Sequence, residues 1–123
     1  MSRKPLMLVI DDDEDLRHLM RVMLVRAEFE VIDAEDGEAG LALARTRVPD
    51  LIILDLMMPK LDGFGVLRGM QAEGLRMPVI IVTGYSEKAN EQILRSETNV
   101  VDLMPKPVKY DELLAVIRRA LKL

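Results

Sequence analysis

Leu6-Met7-Leu8-Val9-Ile10 runs straight into Asp11-Asp12-Asp13, and Leu51-Ile52-Ile53-Leu54 runs straight into Asp55. Continuous apolar runs of this length are the pattern of strands buried on both faces. Such a strand has no use for an acid at its tip, because an unpaired buried carboxylate costs several kcal/mol or shifts its pKa instead. If the two strands lie parallel and side by side, their acids crowd together at one edge, and the crowd needs a cation. A metal-dependent phosphate site is the reading this pattern first suggests.

Working outward, strand-like and helix-like segments alternate along the whole chain. After the first strand (Leu6 to Ile10), Glu14 to Ala27 has helical spacing, with Leu16, Leu19, Met20, Met23 and Leu24 on one face. Asp13, Glu14 and Asp15 stand where negative charge meets the positive end of a helix. A short, less apolar strand, Glu30 to Asp33, belongs at or near a sheet edge. Glu38 to Arg47 reads as a helix offering Leu41, Ala42 and Ala44 to the core and closed by Pro49. The third strand, Leu51 to Leu54, leads through Pro59 and Asp62-Gly63 into a helix from Gly63 to Glu73. Val79 to Val82 is the fourth strand, Ser86 caps a helix to Glu97, Val100 to Met104 is the fifth strand, and Asp111 to Leu121 is the last helix. Asp13, Asp15 and Asp62-Gly63 have an ordinary reading as caps and turns. Met57 and Met58 read as loop packing, and His18 as a surface residue.

Five strand–helix repeats with apolar strands imply an α/β fold, a parallel sheet covered on both faces. Open sheets of this kind bind ligands beyond the carboxyl ends of their strands. Asp11, Asp12, Asp55, Thr83 and Lys106 all fall at such ends. The 123 residues suit a single domain, 1–123, with one core and no linker. A formal charge of −4 and the lack of a basic recognition motif give no reason to expect nucleic-acid binding. Without cysteine there is no disulfide, thiolate metal site or cysteine nucleophile. No signal peptide or membrane-length apolar run is visible, so a soluble cytoplasmic protein is expected.

The acidic pair Asp11-Asp12, the segment Asp55-Leu56-Met57-Met58-Pro59-Lys60-Leu61-Asp62-Gly63, Thr83, and Lys106-Pro107 together resemble the receiver domains of two-component response regulators, over essentially the whole chain. The resemblance implies a flavodoxin-like (βα)5 three-layer sandwich with strand order 2-1-3-4-5. It also implies a signalling domain that assists its own phosphorylation and dephosphorylation rather than a conventional enzyme. Asp55 would accept the phosphoryl group from a sensor histidine kinase or a phosphotransfer protein. Mg²⁺ would be held directly by Asp12, Asp55 and the backbone carbonyl of Met57, and by Asp11 mainly through water. Thr83 and Lys106 would take phosphoryl oxygens, and the Lys106-Pro107 peptide would be cis.

The output would be a shift in the face made by the fourth helix, fifth strand and last helix, including Lys109 and Tyr110, read by a downstream protein or effector domain. Monomer and weak dimer both fit, with no membrane insertion. The chain ends soon after the last helix, so no output domain is expected within it.

Three positions depart from the family pattern. Leu103 replaces the usual aromatic three residues before the lysine, Gly84 the usual Ala, and Val108 an aromatic after Lys-Pro. Leu103 keeps a second reading open, a non-switching interaction module on the same fold. Met57 and Tyr85 are expected to flank the modified carboxylate and hinder water. An aspartate-nucleophile phosphatase would need an Asp two positions after the nucleophile, where this chain has Met57. A flavin-binding protein would need a Gly- and hydroxyl-rich phosphate loop where it has Asp11-Asp12-Asp13.

Overall fold

The computed structural model describes residues 3–58, 60–84 and 99–123. Its elements are β1 (Leu6–Ile10), α1 (Glu14–Arg26), β2 (Glu30–Ala34), α2 (Gly37–Arg47), β3 (Leu51–Leu54), α3 (Gly63–Ala72), β4 (Val79–Thr83), β5 (Val100–Pro105) and a C-terminal helix, α4 (Tyr110–Leu121). The helix expected from Ser86 to Glu97, with Tyr85 before it, lies outside the described residues, as does Pro59.

The strands form one parallel sheet in the order β2-β1-β3-β4-β5, with β2 at the edge as its polar pattern requires. Side chains alternate across the pleat, so each central strand feeds two cores. Met7, Val9, Leu51, Ile53, Ile80 and Val82 face α1 and α4, meeting Met20, Leu24, Leu113 and Ile117. Leu8, Ile10, Ile52, Leu54, Val79 and Ile81 face α2 and α3, meeting Ala44, Val66, Leu67 and Met70. This double covering explains why β1 and β3 are apolar at every position and β4 at every position before Thr83.

Helix starts follow the side chains that can satisfy free N–H groups. Asp13 accepts from Leu16 N, Asp36 from Ala39 N and Asp62 from Gly65 N. Asp13 and Asp62 are caps, as read from sequence; Asp36 was not singled out.

Some core expectations need correction. Leu19 is exposed, because the stripe of α1 that touches the sheet runs through Met20 and Leu24 and Leu19 lies beyond its edge. Ala42 is exposed, because Gly40 and Ala44, one turn apart, hold the inward face of α2. Met57 is 61% exposed, whereas Met58 packs against the α2–α3 core.

Among the described residues, no helix is long and apolar enough to cross a membrane.

Candidate functional site

The parallel ladder continues one residue past the strand tips. Ile10 pairs with Leu54, and Asp55 N donates to Ile10 O at 3.0 Å, while Asp11 N donates to Ala34 O at 3.2 Å. This register places Asp11 and Asp55 side by side on the carboxyl edge of the sheet, 2% and 5% exposed. Asp12, next along the turn, is exposed. Carboxylate oxygens of Asp11, Asp12 and Asp55 all lie within 4.8 Å of one another. The three acids at two strand ends therefore form the cluster that the sequence pattern implied.

The two remaining expected residues arrive from the neighbouring strands. Thr83 ends β4, buried, and Lys106 N donates to Thr83 O at 3.0 Å, fixing the start of the β5–α4 loop beside it. The Lys106-Pro107 peptide is cis. Lys106 Nζ reaches Asp11 Oδ2 at 3.0 Å and Asp55 Oδ2 at 3.4 Å. Asp55, Met57, Thr83, Gly84 and Lys106 line an open cleft of about 320 Å³.

The electrostatics are those of like charges forced together and partly neutralised. Burial pushes the Asp55 carboxyl above its ordinary range, and the Asp11 charge adds to this; Lys106 and the Met57 N–H pull it back without cancelling the rise. Burial alone would lower the Lys106 ammonium, but the hydrogen bond and charge of Asp11, with Asp55 behind them, outweigh it and hold it above its ordinary range. Asp11 Oδ1 accepts from Asp13 N at 2.9 Å, and Asp55 Oδ1 from Met57 N at 3.4 Å, so each carboxylate has one oxygen tied to its own loop.

Close packing holds the loop after Asp55 in place. A Cβ on Gly63 would stand 2.7 Å from Asp55 O and 2.8 Å from Leu56 Cα. Gly63 is there for this approach and not, as its Asp-Gly context suggests, for a turn. Lys60 adopts a left-handed φ of 67°, and its ammonium lies 3.5 Å from Asp36 Oδ2. The following carbonyl, Leu61 O, lies where a Cβ on Gly37 would be, 1.9 Å away. The loop thus rests directly on the first turn of α2.

Sequence reasoning read Gly63 as a turn residue and passed over Gly37 and Arg17. The Arg17 guanidinium donates to Asp11 O at 2.8 Å and lies 3.4 Å from Asp33 on β2. The available signal was an arginine in the second turn of the helix that follows the acid pair.

The family model described as the response regulator receiver domain matches residues 7–118. The chain belongs to that family. This receiver is 37% identical over 122 residues to the alkaline phosphatase synthesis transcriptional regulatory protein PhoP of Bacillus subtilis, covering 99% of the chain and 50% of that protein. It is 38% identical over 120 residues to a probable transcriptional regulator, ycf27, of Porphyridium aerugineum, covering 98% of the chain and 49% of the relative. The chain therefore spans about half the length of these curated relatives.

Among solved structures, the receiver domain of a Francisella response regulator superposes with a TM-score of 0.88 at 29% identity, covering 97% of this chain and 98% of that one. Chemotaxis protein CheY4 of Vibrio cholerae superposes with a TM-score of 0.86 at 28% identity, covering 96% and 99%. The chain is a receiver domain of two-component signalling, a signalling domain rather than a conventional enzyme.

Proposed function

We propose that this receiver accepts a phosphoryl group on Asp55 from the phosphohistidine of a sensor kinase or phosphotransfer protein. A carboxylate oxygen of Asp55 attacks phosphorus, the P–N bond breaks as the P–O bond forms, and the departing imidazole takes up a proton. Support comes above all from Asp55 itself. It is a 5% exposed carboxylate at the tip of a central strand, backed by two further acids and opening onto a cleft that also holds Thr83 and Lys106.

Phosphoryl transfer depends on alignment and charge neutralisation more than on acid–base help. The donor set is all oxygen, which suits a hard divalent cation such as Mg²⁺. Asp12, Asp55 and the Met57 carbonyl would hold it directly, with Asp11 acting mainly through water. When bound, the ion supplies positive charge against the phosphoryl oxygens. Lys106 would carry an ammonium to one of those oxygens and Thr83 a hydroxyl to another. Met57, at the cleft rim, would slow the approach of hydrolytic water.

Phosphorylation adds charge and acceptor oxygens at one point, and output requires a population shift elsewhere. The proposed readout is the face of β5 and α4, with the helix expected at 86–97, acting on an effector domain or a separate protein. Mg²⁺-dependent labelling by acetyl phosphate tests the assignment. Wild type should be labelled and Asp55→Asn should not, and equal labelling of the variant would overturn it.

Leu103 favours a second reading, a receiver fold that does not switch. Beryllofluoride with Mg²⁺ separates the two. A switching receiver shows amide shifts in β5 and α4, and a passive module does not.

A further inference from the structure

We infer that Arg17 is a positioning residue that presets the acidic turn for its cation, an inference that rests on the Mg²⁺ reading above. The Arg17 side chain is only 13% exposed, unusual for a helical arginine beside a cluster of acids. One nitrogen donates to the backbone carbonyl of Asp11 at 2.8 Å, and Nε lies 3.4 Å from Asp33 Oδ2 on the neighbouring strand. Asp33 is itself held from the other side, by Arg21 at 3.1 Å, and Arg21 also donates to Val31 O at 3.0 Å. The chain of contacts runs from β2 through Arg17 to the peptide joining Asp11 and Asp12.

That peptide is the hinge of the acidic turn. Its carbonyl belongs to Asp11 and its N–H to Asp12, so holding its plane restrains the two backbone torsions, ψ of Asp11 and φ of Asp12, on either side of which the carboxylates leave the chain. Asp11 Oδ1 closes the turn by accepting from Asp13 N at 2.9 Å. A planar guanidinium can serve two acceptors at once in a set geometry, which an ammonium on a flexible stem cannot. Groups that orient the ligands of a cation change its affinity without touching it, commonly by about 10-fold or more.

The sign of the effect isolates this role. A cation near the site, acting by charge alone, repels Mg²⁺, so its removal would tighten binding. A cation that aims the acids does the opposite. Calorimetric titration of the unphosphorylated, full chain with MgCl₂ reads the difference, alongside thermal unfolding.

Arg17→Met should raise the Mg²⁺ dissociation constant by about 10-fold. Arg17→Lys, which keeps the charge and the fold but not the fork, should bind more weakly than wild type as well. Tighter binding in Arg17→Met, or unchanged binding in a variant that merely melts earlier, would overturn the inference while leaving the cation reading intact. Wild type that binds no Mg²⁺, or binds it equally well as Asp12→Asn, would overturn the cation reading and this inference with it.

Discussion

The ammonium of Lys106 lies 3.0 Å from Asp11 Oδ2, nearer than to Asp55 Oδ2 at 3.4 Å. In this arrangement the lysine occupies the charge that a divalent cation would take, and its stronger tie is to an acid that is not the proposed acceptor. Lys106→Met should therefore bind Mg²⁺ severalfold more tightly by calorimetry, the opposite of the Arg17 variants. Labelling by acetyl phosphate should fall by about 10²-fold or more, the usual loss when one donor to a developing oxyanion is removed. Unchanged labelling would remove Lys106 from the phosphoryl site.

Asp55 is held against its own ionisation by burial and then by Asp11. A folded pKa above the unfolded value means that the folded state keeps its proton longer as pH rises. Stability is then lost as pH climbs from the ordinary carboxylate value of 3.8 through the raised folded value, and the penalty is complete above it. Asp55→Asn should melt higher than wild type at pH 7, by about 4 °C for each kcal/mol relieved. The gap should narrow as pH falls through the raised folded value toward 3.8, and Mg²⁺ should raise the wild-type melting temperature more than the variant's. A gap that widens in acid would show the sign to be wrong.

Gly63 is buried against the backbone of Asp55 and Leu56, which no side-chain rotation can relieve. Gly63→Ala should cost about 1–3 kcal/mol in urea unfolding, the range for overpacking, and should slow labelling at Asp55 by moving its carbonyl. Gly84→Ala is the contrasting case. An added Cβ there meets nothing within 4 Å among the described residues, and stability should stay within about 0.5 kcal/mol. Equal costs at both sites would refute the close-approach explanation.

The strand tips were legible because a strand buried on both faces must be apolar throughout, so the first acid marks its end. Asp11 and Asp55 could be read for that reason, and Thr83 as the first polar residue of β4, whereas Lys106 was legible from its Lys-Pro motif, since β5 carries Asp102 in mid-strand; β1 and β3 match their expected bounds. Contacts that cross between elements were not legible. Nothing in the local pattern of Gly37 or Gly63 announces a carbonyl pressed against it, and an arginine early in α1 does not by itself say that it turns back to Asp11 while Leu19 faces water. β5 hid a bulge as well. Val79 pairs with Val100 but Ile80 with Asp102, leaving Val101 without an opposite residue. A bulge breaks the period of two on which face assignment depends.

That bulge matters for the last position in question. It turns Val100 and Leu103, three residues apart, toward the same α2–α3 core, while Met104 faces α4. Leu103 lies opposite Ile81, two residues before Thr83, and is partly buried. A side chain so placed can repack when Thr83 moves, ring or no ring, because it shares a core with the strand that carries Thr83. Beryllofluoride with Mg²⁺ should therefore shift the amides of β5 and α4 in wild type. Leu103→Ala, at a cost of about 1–2 kcal/mol for a half-buried leucine, should keep the shifts near Asp55 and lose most of those in α4. Undiminished shifts in α4 would mean that the signal bypasses Leu103. Absent shifts in wild type, with beryllofluoride seen at Asp55, would establish the non-switching reading.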